Sequence, residues 1–193
     1  MIIRKMFKFE NAHIVRNCST KRCRTSIHGH SYKVELLFTS KSFDNAGMIY
    51  DFGLMKSGIK DLIEIFDHSI TLWSRDDKGY IEAMKKYSAR WVELPVSPTA
   101  EQFARVIFIM VDLLLKNTTF VNGEGEIELD SVIVHETDTG YAKANRDDAF
   151  SEVFGHINPN DIKISEAICE DFENPNLWND ILGGKKFINK KTV

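Results

Sequence analysis

Three cysteines in 193 residues, Cys18, Cys23 and Cys169, are too few and too uneven in number for a disulfide framework. Each thiol is therefore either buried filler or chemically employed. A strong charge of one sign is also missing. The formal net charge of −3 gives no basic field of the kind that holds nucleic acid. The longest apolar run, Val106 to Leu115, is broken by Asp112 and is too short to span a bilayer. Met1-Ile2-Ile3-Arg4-Lys5 runs into a strand-like pattern and lacks the zones of a signal peptide. Internal repeats and low-complexity tracts are absent. These absences predict a cytoplasmic globular protein with neither a membrane nor a nucleic acid as partner. The chain is long enough for one core and an appended segment.

Periodicity supplies the elements. Residues 2–14 and 28–40 alternate as strands. Phe7, Phe9, Asn11 and His13 share one face of the first strand; His28, His30, Tyr32, Val34, Leu36 and Phe38 share one face of the second. Asp51 to Phe66 carries Met55, Ile59, Leu62, Ile63 and Phe66 at helical spacing. A second helix is expected from Ser97-Pro98-Thr99 to about Lys116, with Thr99 and Gln102 as a capping box. Strands follow at Glu126–Glu136 and Tyr141–Ala144 around a turn at 137–140. Residues 74–97 read as irregular and charged. The order β-β-α-α-β-β predicts an α+β domain over 1–144, an antiparallel sheet with two helices on one face. Residues 145–193 read as a C-terminal extension with short helices near 161–171 and 176–182.

His28-Gly29-His30 places two imidazoles on one strand face, about 6.5–7 Å apart. Neutral imidazole suits zinc. If the first two strands pair, His13 supplies a third ligand, the layout of an open catalytic zinc site. Cys23 lies five positions before His28, on a loop with Arg16, Lys21, Arg22 and Arg24. Positive charge raises a thiolate fraction, so Cys23 is either a general base near the metal, a fourth ligand, or inert. The basic loop is either solvated or a hold for a phosphate chain. Asp67-His68 pairs a carboxylate with an imidazole at a helix end. Glu136 ends an apolar strand, either as a solvated terminus or as a pocket carboxylate able to accept two hydrogen bonds from an amidine-like edge.

These residues together resemble the 6-pyruvoyltetrahydropterin synthase / 6-carboxytetrahydropterin synthase family. The matching segments are Phe9-Glu10-Asn11-Ala12-His13, Cys23 with His28-Gly29-His30-Ser31-Tyr32, and Gly47-Met48-Ile49-Tyr50-Asp51-Phe52 with Lys56. They continue with Phe66-Asp67-His68, Pro98-Thr99-Ala100-Glu101 and Val134-His135-Glu136-Thr137. They run in the family's order across roughly residues 5–143. The resemblance implies a tunnelling fold whose subunit sheets assemble into a barrel, as trimers or hexamers with active sites at subunit interfaces. It implies that His13, His28 and His30 hold Zn2+, and that Cys23, Asp67 and His68 are catalytic. Glu136 would anchor the pterin, with Thr99 and Thr137 lining the same end. The implied substrate is 7,8-dihydroneopterin triphosphate, and the product 6-carboxytetrahydropterin on the route to queuosine. The alternatives are 6-pyruvoyltetrahydropterin, with the side chain retained, and a non-catalytic zinc and pterin binder. The four residues from Arg24 to Ile27 between Cys23 and His28 do not choose a branch. The carboxy branch is favoured by its breadth among microbes and by the Lys-, Ile-, Asn- and Phe-rich composition.

Overall fold

A computed structural model describes residues 1–189 of the chain. The first half contains β1 (Ile2–His13), α1 (Lys21–Thr25), β2 (His28–Ser40), α2 (Gly58–Glu64), β3 (Ser69–Trp73), α3 (Lys78–Tyr87) and β4 (Trp91–Leu94). It continues with α4 (Ala100–Lys116), β5 (Thr118–Phe120), β6 (Ile127–His135), β7 (Tyr141–Asn145) and α5 (Arg146–Ala149). Last come β8 (Lys163–Ile164), α6 (Glu166–Cys169), α7 (Leu177–Leu182) and β9 (Phe187–Asn189). No helix among the described residues is long and apolar enough to cross a membrane.

The main sheet has the order β7-β6-β2-β1-β3-β4-β8. Its centre is the expected antiparallel array. β1 pairs with β2 from Ile2 opposite Thr39 to His13 opposite His28. β2 pairs with β6, and β6 with β7. The apolar faces of β1, β2 and β6 meet α2 and α4 in one core that includes Phe9, Tyr32, Phe66 and Phe103. The expected β-β-α-α-β-β order is thus present in β1, β2, α2, α4, β6 and β7.

Three departures from expectation have local causes. The helix expected over Asp51–Phe66 is broken. A 3-10 turn covers Leu54–Lys56, and α2 starts only at Gly58. The Asp51 carboxylate accepts the Gly53 N–H at 2.7 Å, and the Ser57 hydroxyl donates to the Leu54 carbonyl at 3.1 Å. Such side chains compete with the helix for its own backbone groups. Second, residues 74–97, expected to be irregular, contain α3 and β4, and an unexpected β3 precedes them: β3 lies parallel to β1, and β4 parallel to β3, making the sheet mixed rather than purely antiparallel. Both strands are short and nearly continuously buried, so they show no alternation to read. The helix between them, α3, buries no residue and starts at Asp77, whose carboxylate accepts the Tyr80 N–H. Third, the expected helix over 161–171 divides into a 3-10 turn, β8 and α6, whereas α7 falls where a helix was expected over 176–182.

The C-terminal residues pack on the same core. Ile162, Ile168, Leu177, Trp178 and Ile181 belong to it. β8 pairs with β4, and β9 with β5. The turn into this segment is organised by Arg105 of α4, which is 3% exposed. Its guanidinium donates to the carbonyls of Asp148, Ala149, Ser151, Phe154 and Gly155 and to the Gln102 side chain. Arg105→Met removes these donors and leaves carbonyls without partners. It should lower the unfolding free energy by about 3 kcal/mol in urea titration. A loss below about 1 kcal/mol would mean that water replaces the guanidinium.

Candidate functional site

The register of β1 and β2 builds the site. His13 lies directly opposite His28, and His30 follows two residues on, so all three imidazoles project from one sheet face. Their ring centroids are 4.5 Å (His13 to His28), 5.3 Å (His13 to His30) and 5.2 Å (His28 to His30) apart. One nitrogen from each lies within 4.8 Å of the others. Gly29 suits the position between them, because a Cβ there would sit a tight 3.1 Å from the Asn11 carbonyl oxygen.

Backbone carbonyls orient two of the rings. His13 Nδ1 lies 2.6 Å from the Pro98 carbonyl oxygen, and His28 Nδ1 lies 3.0 Å from that of Ser26. A carbonyl only accepts, so each Nδ1 carries the proton and each Nε2 keeps its lone pair. His13 is fully buried, yet its Nε2 has no hydrogen-bond partner. Burial pulls the His13 pKa down to about 4, against the Pro98 hydrogen bond that raises it, with His28 and His30 adding repulsion. A neutral, buried, unpartnered imidazole nitrogen converging with two others is the donor set that a borderline divalent ion such as zinc prefers.

Glu136 closes one side. Its Oε1 lies 3.9 Å from Nε2 of both His13 and His30. It accepts the Tyr32 hydroxyl at 3.2 Å. Burial, reinforced by the Glu136 charge, raises the Tyr32 pKa, so the phenol remains a donor. The sequence placed Tyr32 on the apolar strand face without assigning its hydroxyl. A buried tyrosine needs a partner for that group, which is the signal that could have found this contact. Thr99 follows Pro98 and caps α4, its hydroxyl accepting the Gln102 N–H. The reciprocal half of the expected capping box is missing because Gln102 accepts from Arg105. Thr137 lies in the β6–β7 turn, its hydroxyl 3.4 Å from the Thr139 N–H.

Cys23 is half-buried on α1 and does not belong to the three-histidine cluster. Its carbonyl accepts the Val15 N–H at 3.0 Å, which ties the loop to the end of β1. Of the loop's basic residues, Arg16 is paired with Asp76 and Arg24 donates to the Ser19 carbonyl. Lys21 and Arg22 are exposed with no ion pair among the described residues. Asp67 and His68 are elsewhere. The Asp67 carboxylate accepts the Glu10 N–H, and the Glu10 carbonyl accepts the His68 N–H, each at 2.8 Å. His68 has φ +50° and lines a ≈ 430 Å³ groove with Glu10, Asn11, Ala12, Gly29, His30 and Ser31. Of these, the Glu10, Ala12 and Ser31 side chains alternate to the sheet face opposite His13 and His28. Its ring is 77% exposed, and its Nε2 is 3.8 Å from Asp67, beyond hydrogen-bond distance. His68 is thus not among the imidazoles that converge in the cluster.

The family model described as 6-pyruvoyl tetrahydropterin synthase matches residues 2–147. The chain belongs to this family. A Helicobacter pylori protein named 6-carboxy-5,6,7,8-tetrahydropterin synthase is 34% identical over 191 residues, covering 98% of this chain and 90% of that protein. An Aquifex aeolicus protein of the same name is 31% identical over 160 residues, covering 73% and 95%. The family model stops at residue 147, but the Helicobacter alignment extends into the C-terminal segment. Among solved structures, an uncharacterized protein from Wolinella succinogenes matches with a TM-score of 0.58 at 17% identity, over 76% of this chain and 98% of that one. The 6-pyruvoyl tetrahydropterin synthase of Caenorhabditis elegans matches at 0.52 and 18%, over 75% and 94%. At such identities the likeness shows the fold, which is the tunnelling fold of this family.

Two outcomes follow for the metal-free protein. Between the ordinary histidine pKa near 6.5 and about 4, the unfolded chain takes a proton at His13 that the folded chain refuses. Stability contributed by neutral His13 is full above the upper limit and declines as pH falls through this window, by up to about 3 kcal/mol. Urea titrations with chelator at pH 7 and 4.5 should show a smaller loss in His13→Gln than in the parent; equal losses would contradict the assignment. Separately, His68→Gly relieves a left-handed conformation that costs a side chain about 1–2 kcal/mol. Its Tm should be at least that of the parent, and a clear fall would show that the ring itself supports the fold.

Proposed function

We propose that this chain is a zinc-dependent 6-carboxytetrahydropterin synthase, a cytoplasmic lyase of queuosine biosynthesis. It converts 7,8-dihydroneopterin triphosphate to 6-carboxytetrahydropterin, acetaldehyde and triphosphate. The observation that carries the proposal is the His13, His28 and His30 cluster with its buried, unpartnered Nε2. The name shared by the Helicobacter and Aquifex relatives supports the choice of product.

The residues divide the work by position. A zinc ion held by His13, His28 and His30 would supply Lewis acidity toward the substrate's side-chain oxygens. The Pro98 and Ser26 carbonyls keep two of these rings turned inward. Glu136 accepts hydrogen bonds from the amino and ring N–H groups of the pterin, held in place by Tyr32. Thr99 and Thr137 line the same end. Cys23 takes the proton from the side-chain carbon. His68 with Asp67 returns protons, and because its exposed ring stands outside its own chain's cluster, it serves the site of an adjoining copy. Active sites therefore lie between copies in a trimer or hexamer. The 1–144 segment forms the assembling domain, with 145–193 as its extension.

Purified protein should hold about one zinc per chain by elemental analysis. Given substrate, it should yield 6-carboxytetrahydropterin and acetaldehyde by mass spectrometry. 6-Pyruvoyltetrahydropterin as sole product would move it to the other branch of the family. Cys23→Ala should lose about 10²-fold or more of turnover while keeping its zinc. Full activity in that variant would remove the thiol from the mechanism.

A further inference from the structure

The loop that carries Cys23 has little of its own to hold it. α1 is five residues long and buries none of them. Besides the Val15 N–H bond to the Cys23 carbonyl and the Arg24 bond to the Ser19 carbonyl, it is held by Arg16. The Arg16 Nε–H is shared between the two carboxylate oxygens of Asp76, at 3.0 and 2.9 Å. One Nη1–H donates to the carbonyl of Arg24, the residue after Cys23, at 3.2 Å. The guanidinium lies 5.1 Å from the centre of the Tyr80 ring. Asp76 is only 8% exposed, so the pair is sheltered from the solvent that weakens most surface ion pairs. Its charge is met and its face covered, which leaves Arg16 engaged as a strut and not as a free cation.

The other end of the strut is anchored in the sheet. Asp76 and Asp77 precede α3, and Asp77 caps it through the Tyr80 N–H at 2.9 Å. At the far end of α3, Lys85 pairs with Glu93 of β4 and lies 4.2 Å from the centre of the Trp91 ring. Glu93 is buried and also pairs with Lys163 of β8 at 3.2 Å. A continuous path of contacts therefore runs from β4 through α3 and Arg16 to the backbone beside Cys23.

We propose that Arg16 is a positioning residue for the Cys23 thiol, acting through Asp76 at the start of α3. The proposal rests on the reading of Cys23 as the reactive thiol, but it is tested on the thiol itself. In a Cys18→Ser, Cys169→Ser background, the zinc-loaded enzyme is alkylated with iodoacetamide across pH, and kcat and KM are measured in parallel. Arg16→Ala and Asp76→Asn should each change the alkylation rate about threefold or more and displace its pH profile. Each should lower kcat about tenfold with KM within about twofold, since small misplacement of a reacting group is costly. The double variant should be no worse than Arg16→Ala alone, because that variant already removes the Arg16–Asp76 contact. Arg16→Lys should recover part of the loss, keeping the charge opposite Asp76 but not the reach to the Arg24 carbonyl. A lowered Tm with unchanged alkylation profile and unchanged kcat would overturn the proposal, as would additive losses in the double variant. If Cys23→Ala proved fully active, the catalytic reading of the thiol would fall, and the alkylation profile would still decide whether Arg16 positions it.

Discussion

The antiparallel pairing of β1 with β2, with His13 set opposite His28, is the constraint on which the rest depends. Strand side chains alternate, so a slip of one residue would turn His13 to the other face and leave His28 and His30 without it. The register is held from inside: Phe9, Tyr32, Val34, Leu36 and Phe38 all enter the core only in this alignment. The hydrophobic pattern that folds the sheet and the spacing that gathers three imidazoles are one and the same pattern. The metal-type cluster sits at the polar end of an otherwise apolar face.

The start of helix α4 is tied to that cluster through a backbone carbonyl, and Phe103 of the helix stacks on the His13 ring. Pro98 has no N–H to offer, and its oxygen receives the His13 Nδ1–H just before Thr99 caps the helix. Burial makes His13 reluctant to accept a second proton, and the carbonyl fixes which nitrogen faces its neighbours. The result is a neutral donor prepared in advance. Its cost in an unsatisfied Nε2 is one that a folded core seldom bears without a use.

Two faces of one sheet carry the two halves of the proposed chemistry. The histidine cluster and Glu136 share the core side, whereas His68 opens onto the groove beside Glu10 and Ser31. The left-handed backbone at His68 is held by the bonds of Asp67 and His68 to Glu10. Strain of this kind persists only where its surroundings hold it. An open face bearing an exposed imidazole agrees with the proposed assembly in which neighbouring copies complete each site.

Much of this was legible in the chain. Alternation in 2–14 and 28–40 placed the three histidines on matching faces, and the start signal at Ser97-Pro98-Thr99 located α4. Ordered motifs pointed to the family. β3 and β4 were hidden because short buried strands show no alternation, and α3 because a helix that buries nothing carries no apolar stripe long enough to trust. The Asp67 and His68 pair read as neighbours in sequence, without a sign that one Asp67 carboxylate oxygen accepts the Glu10 N–H. Residue types and their periods determined by themselves the central strands, the main helix and the three histidines of the cluster, because these follow from local geometry. Only the tertiary structure decided that Pro98 sets the His13 tautomer, that Tyr32 holds Glu136, that Arg16 ties the Cys23 loop to α3, and that His68 stands outside the cluster. Each of these joins residues distant in the chain, and which of them meet depends on how the whole core closes.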